Sequence, residues 1–387
     1  MNSKVLLGTT VGLVLLLALL PAGAQVDELQ RFEPSLPQNR LIVGYEPGMR
    51  PQLPRAVTDV AIPVFEDEFL GFTVFETETP EELAEYLLGS TGVRYVEVDQ
   101  VATAYYTPND PLFSQQYGPQ SINAPAAWNT QTGYEGVVVA VVDTGVDYNH
   151  EDLYERVVGG YDFVNEDNDP MDDQGHGTHC AGIIGATLNN GVGIAGVAQV
   201  GIMPVKVLDA QGSGYYSWVA SGIRYAVDNG ASVISMSLGG SSTNEVLENA
   251  CNYAWENGVI VVAAAGNDYG GPVGYPAKYE SVMAVSAIDS SNNLAYYSNV
   301  GPEIEVCAPG SSVLSTYFGN RYATMSGTSM ACPHVAGVAG LVFSENPYLS
   351  SYEVRDLLQQ TAIDLGPGGW DSSYGYGKVN ALAVQEV

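Results

Sequence analysis

The chain is short of positive charge. Only 13 of its 387 residues are Lys or Arg, against 44 Asp or Glu, giving a formal net charge of −31. No basic stripe exists to neutralise phosphates, which argues against a nucleic-acid partner. Cysteine is scarce too: Cys180, Cys251, Cys307 and Cys332, with no C-x-x-C pair. That excludes a disulfide-built mini-scaffold, while all three full pairings of four cysteines stay open. Cys180 and Cys332 lie in apolar helical segments and are expected as buried free thiols. Histidine is limited to His150, His176, His179 and His334. Beyond residue 20 no second apolar span appears.

The first 24 residues read as an export signal. Lys4 supplies a short basic region, Val5 to Leu20 an apolar core, and "PAGA" at 21–24 the small residues of a cleavage site. An uncleaved anchor would need a core of about 20 residues, and this one is shorter. A secreted, extracellular product is expected, free of the membrane once the signal is removed.

What is abundant is glycine (44) and apolar side chain (46%), the composition of a compact, turn-rich globular chain. The length predicts two domains. Residues 25–105 hold strands such as "RLIVGY" (40–45) and "GFTVFET" (71–77). A helix opens at Pro80 in "PEELAEYLLGST", and "VRYVEVDQVATAY" forms a last strand. That is a small α+β unit. "YTPNDP" at 106–111 is turn chemistry and a linker. From 106 to 387, doubly apolar runs ("GVVVAVVDTG", "IMPVKVLD", "ASVISMSLGG", "VIVVAAAGN", "VMAVSAID") alternate with helical patterns ("SWVASGIRYAVDNG", "NEVLENACNYAWENG"). The alternation predicts an α/β fold: a doubly wound, mainly parallel sheet flanked by helices. Chemistry in such sheets gathers at the carboxyl ends of the strands.

Three such ends stand out. Asp143 follows the apolar run Val137 to Val142. Asn267 lies in the glycine turn of "AAAGN". Ser329, in "SGTSMACPHVAGVAGLVFSEN", stands at the start of a long helix. A helix-start serine is often only a cap. The same place offers unpaired N–H groups and the positive end of the helix dipole to a developing oxyanion. Serine needs a base to become a nucleophile. His176, between glycines in "GHGTH", can be exposed at a helix start, whereas His179 and His334 sit inside helical patterns as core residues. A zinc site at His176, His179 and Cys180 is disfavoured, since H-x-x-H-C has neither zincin spacing nor the intervening Glu. Asp143, His176 and Ser329 thus make an Asp/His/Ser set in that chain order.

The blocks "VAVVDTGVD", "GHGTHCAG", "SMSLGG", "AAAGN" and "GTSMACPHVAG" resemble the signature blocks of the subtilisin-like serine proteases. Within that family the thermitase branch resembles the chain most, from "YTPNDPLF" to "GKVNALAV", nearly all of 106–387. The resemblance implies a peptidase domain over 106–387 with Ser329 as nucleophile, His176 as base and Asp143 as its orienting partner. Asn267 and the backbone N–H of Ser329 would bind the oxyanion. It implies substrate-binding edges at Gly212, Ser213, Gly214 and at Ser237, Leu238, Gly239, Gly240. Ala264, Ala265, Gly266 and Gly274 would form the walls and floor of the primary specificity pocket. A monomer cleaving proteins or peptides with broad specificity follows.

Calcium is also implied. The acidic run "DFVNEDNDPMDD" lacks the glycine of an EF-hand, but oxygen ligands favour calcium over transition metals. In the family's pattern Asp162, Asn165, Asp167, Asp169 and the Met171 carbonyl match one site. Asp110, Asp152, Thr187, Asn190, Val192 and Ile194 match a second. Carbonyls of Ala277, Tyr279 and Val282 match a weaker third. Asp172 and Asp173 match no ligand position. The 25–105 unit resembles the family's inhibitor-type propeptide, an intramolecular chaperone cleaved near Ala104 to Tyr106 with its tail in the cleft. Two rivals remain: a non-catalytic peptide-binding relative, and an esterase, disfavoured because Ser329 is not in G-x-S-x-G.

Overall fold

A computed structural model of the chain describes residues 39–46, 61–77, 79–88, 90–99 and 106–387. The expected signal (1–24) lies outside the described residues, as do Ala104 and Tyr105 of the expected maturation region. The described residues form two compact units, 39–99 and 106–387.

The smaller unit contains β1 (Arg40–Tyr45), β2 (Ala61–Asp67), β3 (Phe72–Thr77), α1 (Pro80–Leu88) and β4 (Val93–Val98). The strands pair antiparallel in the order β2-β3-β1-β4. Pro80 at the first helical position costs no hydrogen bond. Leu83 and Leu87, one turn apart, are buried with Leu41, Val43 and Phe75. The sequence reading missed β2, because Pro63 argues against a strand. The structure resolves this by placing β2 at the sheet edge, with a register shift between Pro63 and Phe65.

The larger unit is the expected α/β fold. Two short helices, α2 (Tyr117–Ser121) and α3 (Ala124–Ala127), precede β5 (Val138–Asp143) and β6 (Tyr161–Asp162). There follow α4 (His176–Gly185), β7 (Gly201–Lys206), α5 (Tyr216–Asp228), β8 (Val233–Met236), α6 (Glu245–Glu256), β9 (Ile260–Ala264), β10 (Val282–Ile288) and β11 (Ile304–Pro309). The hairpin β12 (Val313–Tyr317) and β13 (Arg321–Met325) leads to α7 (Thr328–Glu345) and α8 (Ser351–Gln360). Seven strands form one parallel sheet in the order β11-β10-β9-β8-β5-β7-β6.

Period-two alternation splits each strand between two cores. Val139 and Val141 of β5, and Ile260 and Val262 of β9, join the cluster that includes α4 and α7. Ala140 and Val142 of β5, Met236 of β8, and Val261 and Ala263 of β9 face the other way and join α5 and α6. Both faces are covered, which is why these strands read as unbroken apolar runs. Helices α5 and α6 end at Asn229-Gly230 and Asn257-Gly258, where both glycines take the left-handed φ that stops a helix.

Helix α4 lies close against the end of β5. A Cβ on Gly177 would overlap the Gly145 carbonyl oxygen and stand 3.2 Å from Asp143 Cβ. Gly177→Ala is therefore expected to cost about 1–3 kcal/mol through overpacking, read as a lower midpoint in thermal denaturation. A midpoint equal to the parent's would show that the helix can move outward at no cost.

Candidate active site

The carboxyl ends of the parallel strands converge where the chain order reverses, at β5 between β7 and β8. Asp143 is the last residue of β5 and fully buried. Its Oδ1 accepts the backbone N–H of Thr144 at 2.7 Å and lies 2.7 Å from His176 Nδ1. Its Oδ2 has no partner among the described residues. His176 is the first residue of α4, after Gly175 at φ +110°, and its side chain is 18% exposed. Burial pulls the imidazole pKa down. The charge and hydrogen bond of Asp143, with the charge of Asp172, outweigh this, and the net shift is upward from the ordinary value. His179 and His334 are core residues, as expected: both are buried, and burial lowers each to about 4.

Ser329 occupies the second position of α7, behind Gly327. Pro333 lies inside this helix and cannot donate to the Ser329 carbonyl four residues earlier. That carbonyl instead accepts the Ser237 hydroxyl at 2.7 Å and the Cys180 thiol at 3.4 Å. The Ser329 hydroxyl donates to the Ser237 carbonyl at 3.2 Å. Helix α7 is thereby fixed to the segment that follows β8. Asn267 follows β9, and its Oδ1 accepts both the N–H (2.9 Å) and the hydroxyl (3.1 Å) of Thr328. This leaves the Asn267 amide nitrogen outward. A Cβ at Gly327 would lie 3.6 Å from both Asn267 Nδ2 and Ser329 N, so these two donors flank one small space.

A cavity of about 400 Å³ opens beside His176. Gly212, Ser213, Gly214, Ser237, Leu238 and Gly239 line it, with Gln174 and Tyr216. Gly240 instead pairs with Tyr275 through two 2.8 Å backbone bonds. Gly274 donates to the Ala265 carbonyl at 3.0 Å, and a Cβ on it would stand 3.2 Å from the Gly240 carbonyl. Ala264 and Ala265 precede Gly266, whose left-handed φ of +109° turns the chain toward Asn267. Ala264, Ala265, Gly266, Gly274 and Gly240 are not among the residues that line the cavity beside His176.

Of the three expected cation sites, one is drawn together. Asp110 accepts the N–H groups of Asn189 (2.8 Å) and Asn190 (3.2 Å). Asp152 accepts the Asn190 amide (2.9 Å) and the Ile194 N–H (2.9 Å), while Thr187 N–H reaches the Asp152 carbonyl (2.8 Å). Val192 N–H donates to Asn190 Oδ1 at 2.7 Å. Both carboxylates are buried, and no Lys or Arg pairs with them among the described residues. Burial first, and the Asp110 charge to a lesser degree, push Asp152 up to about 7.

The acidic loop is looser. The Asp162 carboxylate accepts Val164 N–H and the N–H and amide of Asn165, and Asp162 and Asp167 exchange backbone bonds. Asp167 bonds the Asp169 N–H and Asp169 the Tyr148 hydroxyl, but both acids are exposed, and Met171 is half-buried. Around the third set, Val282 N–H already uses the Tyr279 carbonyl, Ala277 is buried, and Arg355 reaches the Val282 carbonyl at 3.4 Å. A fixed guanidinium there competes with any cation. Asp143, His176 and Cys180 form the one tight His/Cys/acid group among the described residues. Burial raises the Cys180 thiol well above its ordinary pKa. All four cysteines are free and buried.

Sequence reasoning missed two residues here. Lys206, at the end of β7 beside Asp143, is 1% exposed and donates to the carbonyls of Thr144 (2.7 Å) and Leu208 (2.8 Å) and to Asp173 (2.7 Å). Its signal was a lone charge inside "IMPVKVLD". Asn299 fixes the turn around Asp268, accepting its N–H at 2.6 Å and donating to the Pro272 carbonyl at 2.8 Å. Nothing in its local sequence marks it.

The pattern of the subtilase family matches residues 134–377. The chain is 50% identical over 283 residues to thermitase of Thermoactinomyces vulgaris, covering 72% of this chain and 100% of that one. It is 46% identical over 312 residues to a thermophilic serine proteinase of a Bacillus species, covering 80% and 77%. Over 387 aligned residues it is 41% identical to a halolysin-like extracellular serine protease of Natrialba magadii, covering 95% and 71%. With its parallel sheet and this strand-end site, the chain belongs to the subtilase family and is a subtilisin-like serine endopeptidase.

Proposed function

We propose that this is a secreted, calcium-stabilised endopeptidase of broad specificity, working through an acyl-enzyme and made as a self-processing zymogen. The 2.7 Å contact of His176 Nδ1 with Asp143 carries the catalytic part of the reading. With Nδ1 held by the carboxylate, Nε2 is left to take a proton. Substrate draws the Ser329 hydroxyl from the Ser237 carbonyl toward His176, and Ser329 Oγ attacks the peptide carbonyl. His176 takes the serine proton and then gives it to the leaving amine; Asp143 balances the imidazolium. Asn267 Nδ2 and Ser329 N–H bind the developing oxyanion, assisted by the start of α7. Water repeats the sequence on the acyl-enzyme. The edges at Gly212–Gly214 and Ser237–Gly240 receive substrate backbone as added strands, and Ala264–Gly266 with Gly274 receives the side chain before the cleaved bond.

His176 must be neutral to act as base. Its raised pKa places the acid limb of kcat/KM above the ordinary histidine value, and activity is lost as pH falls through it. In Asp143→Asn the raising charge is gone. The limb then moves to lower pH and kcat drops about 10⁴-fold, measured with a chromogenic peptide. Ser329→Ala and a serine-directed covalent inhibitor each abolish turnover. Turnover retained in Ser329→Ala would overturn Ser329 as the nucleophile, and a parent chain without turnover would leave only the peptide-binding reading.

Calcium fits the paired acids better than the acidic loop. Asp110 and Asp152 are buried carboxylates without a basic partner among the described residues, the situation a hard cation relieves. Asp110, Asp152 and the Asn190 side chain would hold the ion, with carbonyls of Thr187, Val192 and Ile194. Asp162, Asn165, Asp167, Asp169 and Met171 would form a weaker, exposed site. A cation binding only the folded state stabilises by mass action. EDTA is therefore expected to lower the midpoint of thermal inactivation, with excess calcium restoring it; an indifferent midpoint would remove calcium from the reading.

The 25–105 unit acts as the propeptide and inhibitor, residues 1–24 as its export signal, and 106–387 as the peptidase. Support comes from the four strands and the helix that the described residues of this unit form and from the extracellular relative. The mature N-terminus of secreted protein is expected near Ala104 to Tyr106 and should be missing in Ser329→Ala. Normal processing of that variant would assign the cut to another protease.

A further inference from the structure

Asp172 belongs to no triad and matches no calcium position, yet it is 3% exposed and pairs with no Lys or Arg among the described residues. Its carboxylate accepts five hydrogen bonds. Oδ1 takes the Thr144 hydroxyl (2.9 Å) and the N–H groups of Gln174 (2.9 Å) and Gly175 (2.8 Å). Oδ2 takes the N–H (2.9 Å) and the hydroxyl (2.6 Å) of Thr178. These partners adjoin the reacting residues. Thr144 follows Asp143 and donates its N–H to it, while Gly175 and Thr178 bracket His176. With its proton committed to Asp172, the Thr144 oxygen accepts the Gly177 N–H (2.9 Å). The Thr178 oxygen likewise accepts the Asp147 N–H (2.9 Å).

One carboxylate thus fixes two hydroxyl rotors and closes a ring from the end of β5 to the first turn of α4. A carboxylate suits this place, because three of its contacts are N–H groups that can only donate and the two hydroxyls can donate as well. An amide has one oxygen, and its NH₂ would face donors on whichever side it took.

We propose that Asp172 is a positioning residue for the base: it holds Asp143 and His176 in register, and its charge steadies the imidazolium formed during turnover. The proposal rests on the catalytic reading of Asp143 and His176. The charges around His176 agree with it. Asp143 comes from β5 and Asp172 from the preceding loop. Lys206 of β7 is matched by Asp173, and Tyr317 of β12 is bonded to the Gln174 carbonyl. His179 on the same helix is lowered to about 4, and the thiols of Cys180 and of Cys332 on α7 are raised, so all three are uncharged near neutrality. Asp143 and Asp172 both raise the His176 pKa.

The test compares the secreted enzyme with Asp172→Asn, Thr144→Val and Thr178→Val, in excess calcium, following kcat and KM for a peptide anilide across pH. Active sites are counted with a sulfonyl fluoride. Asp172→Asn is expected to lose about 10- to 100-fold in kcat through misplacement, with KM within about twofold, and its acid limb should move to lower pH. Each Thr→Val variant keeps the charge, so it should lose rate with the limb in place. A purely structural acid would lower the active-site count and leave the pH profile of the surviving sites untouched. Parental kcat and acid limb in Asp172→Asn would overturn the proposal. If that variant is not secreted, parental kcat in both threonine variants would do so. Turnover by Ser329→Ala would instead overturn the catalytic reading, a result no Asp172 variant can produce.

Discussion

The structure turns on a negative charge buried at the end of a parallel strand. Asp143 has no exposed surface, and an isolated carboxylate in that position would be strongly destabilising. Its surroundings are arranged to tolerate it: the Thr144 N–H and the His176 ring both bond its Oδ1. Only the open carboxyl edge of the sheet offers such a site, because elsewhere β5 is enclosed by the apolar residues of two helix layers. Helix α4 must come close enough to present His176, and this requires glycine at 177. Helix α7 must deliver Ser329 from the same side, and its Pro333 leaves a carbonyl for Ser237 to hold. Fold and chemistry share one constraint here.

Much of this was legible because both demands leave local marks. Strands buried on two faces are unbroken apolar runs, and helices that stop in Asn-Gly announce their ends. The Asp143, Asn267 and Ser329 positions are polar interruptions at the ends of such runs. What was not legible depends on long-range pairing. The hairpin β12–β13 has ordinary alternation around Gly319 and Asn320, yet its importance lies in receiving the core histidine, His179, at the Val313 and Ala323 carbonyls. Strand β2 was hidden by a proline that an edge position tolerates. The capping box of α8, Ser350 with Glu353, is by contrast written locally in "SSYE".

The acidic stretch 162–173 shows why adjacency in sequence is a poor guide to role. Its carboxylates are divided among four separate tasks by the geometry of one loop. Asp162 bonds its own following N–H groups, a turn-forming use common to Asp. Asp167 and Asp169 lie exposed, where a charge costs little, and bond the Asp169 N–H and the Tyr148 hydroxyl. Asp173 neutralises the buried ammonium of Lys206. Asp172 turns inward and organises the start of α4. A charge count predicts one property for all of them. Their donors assign different ones, since an acid's role follows from which N–H and O–H groups the backbone turns toward it. Only the inward-facing member is placed to influence His176, and it does so from four residues away, through hydroxyls that belong to its neighbours.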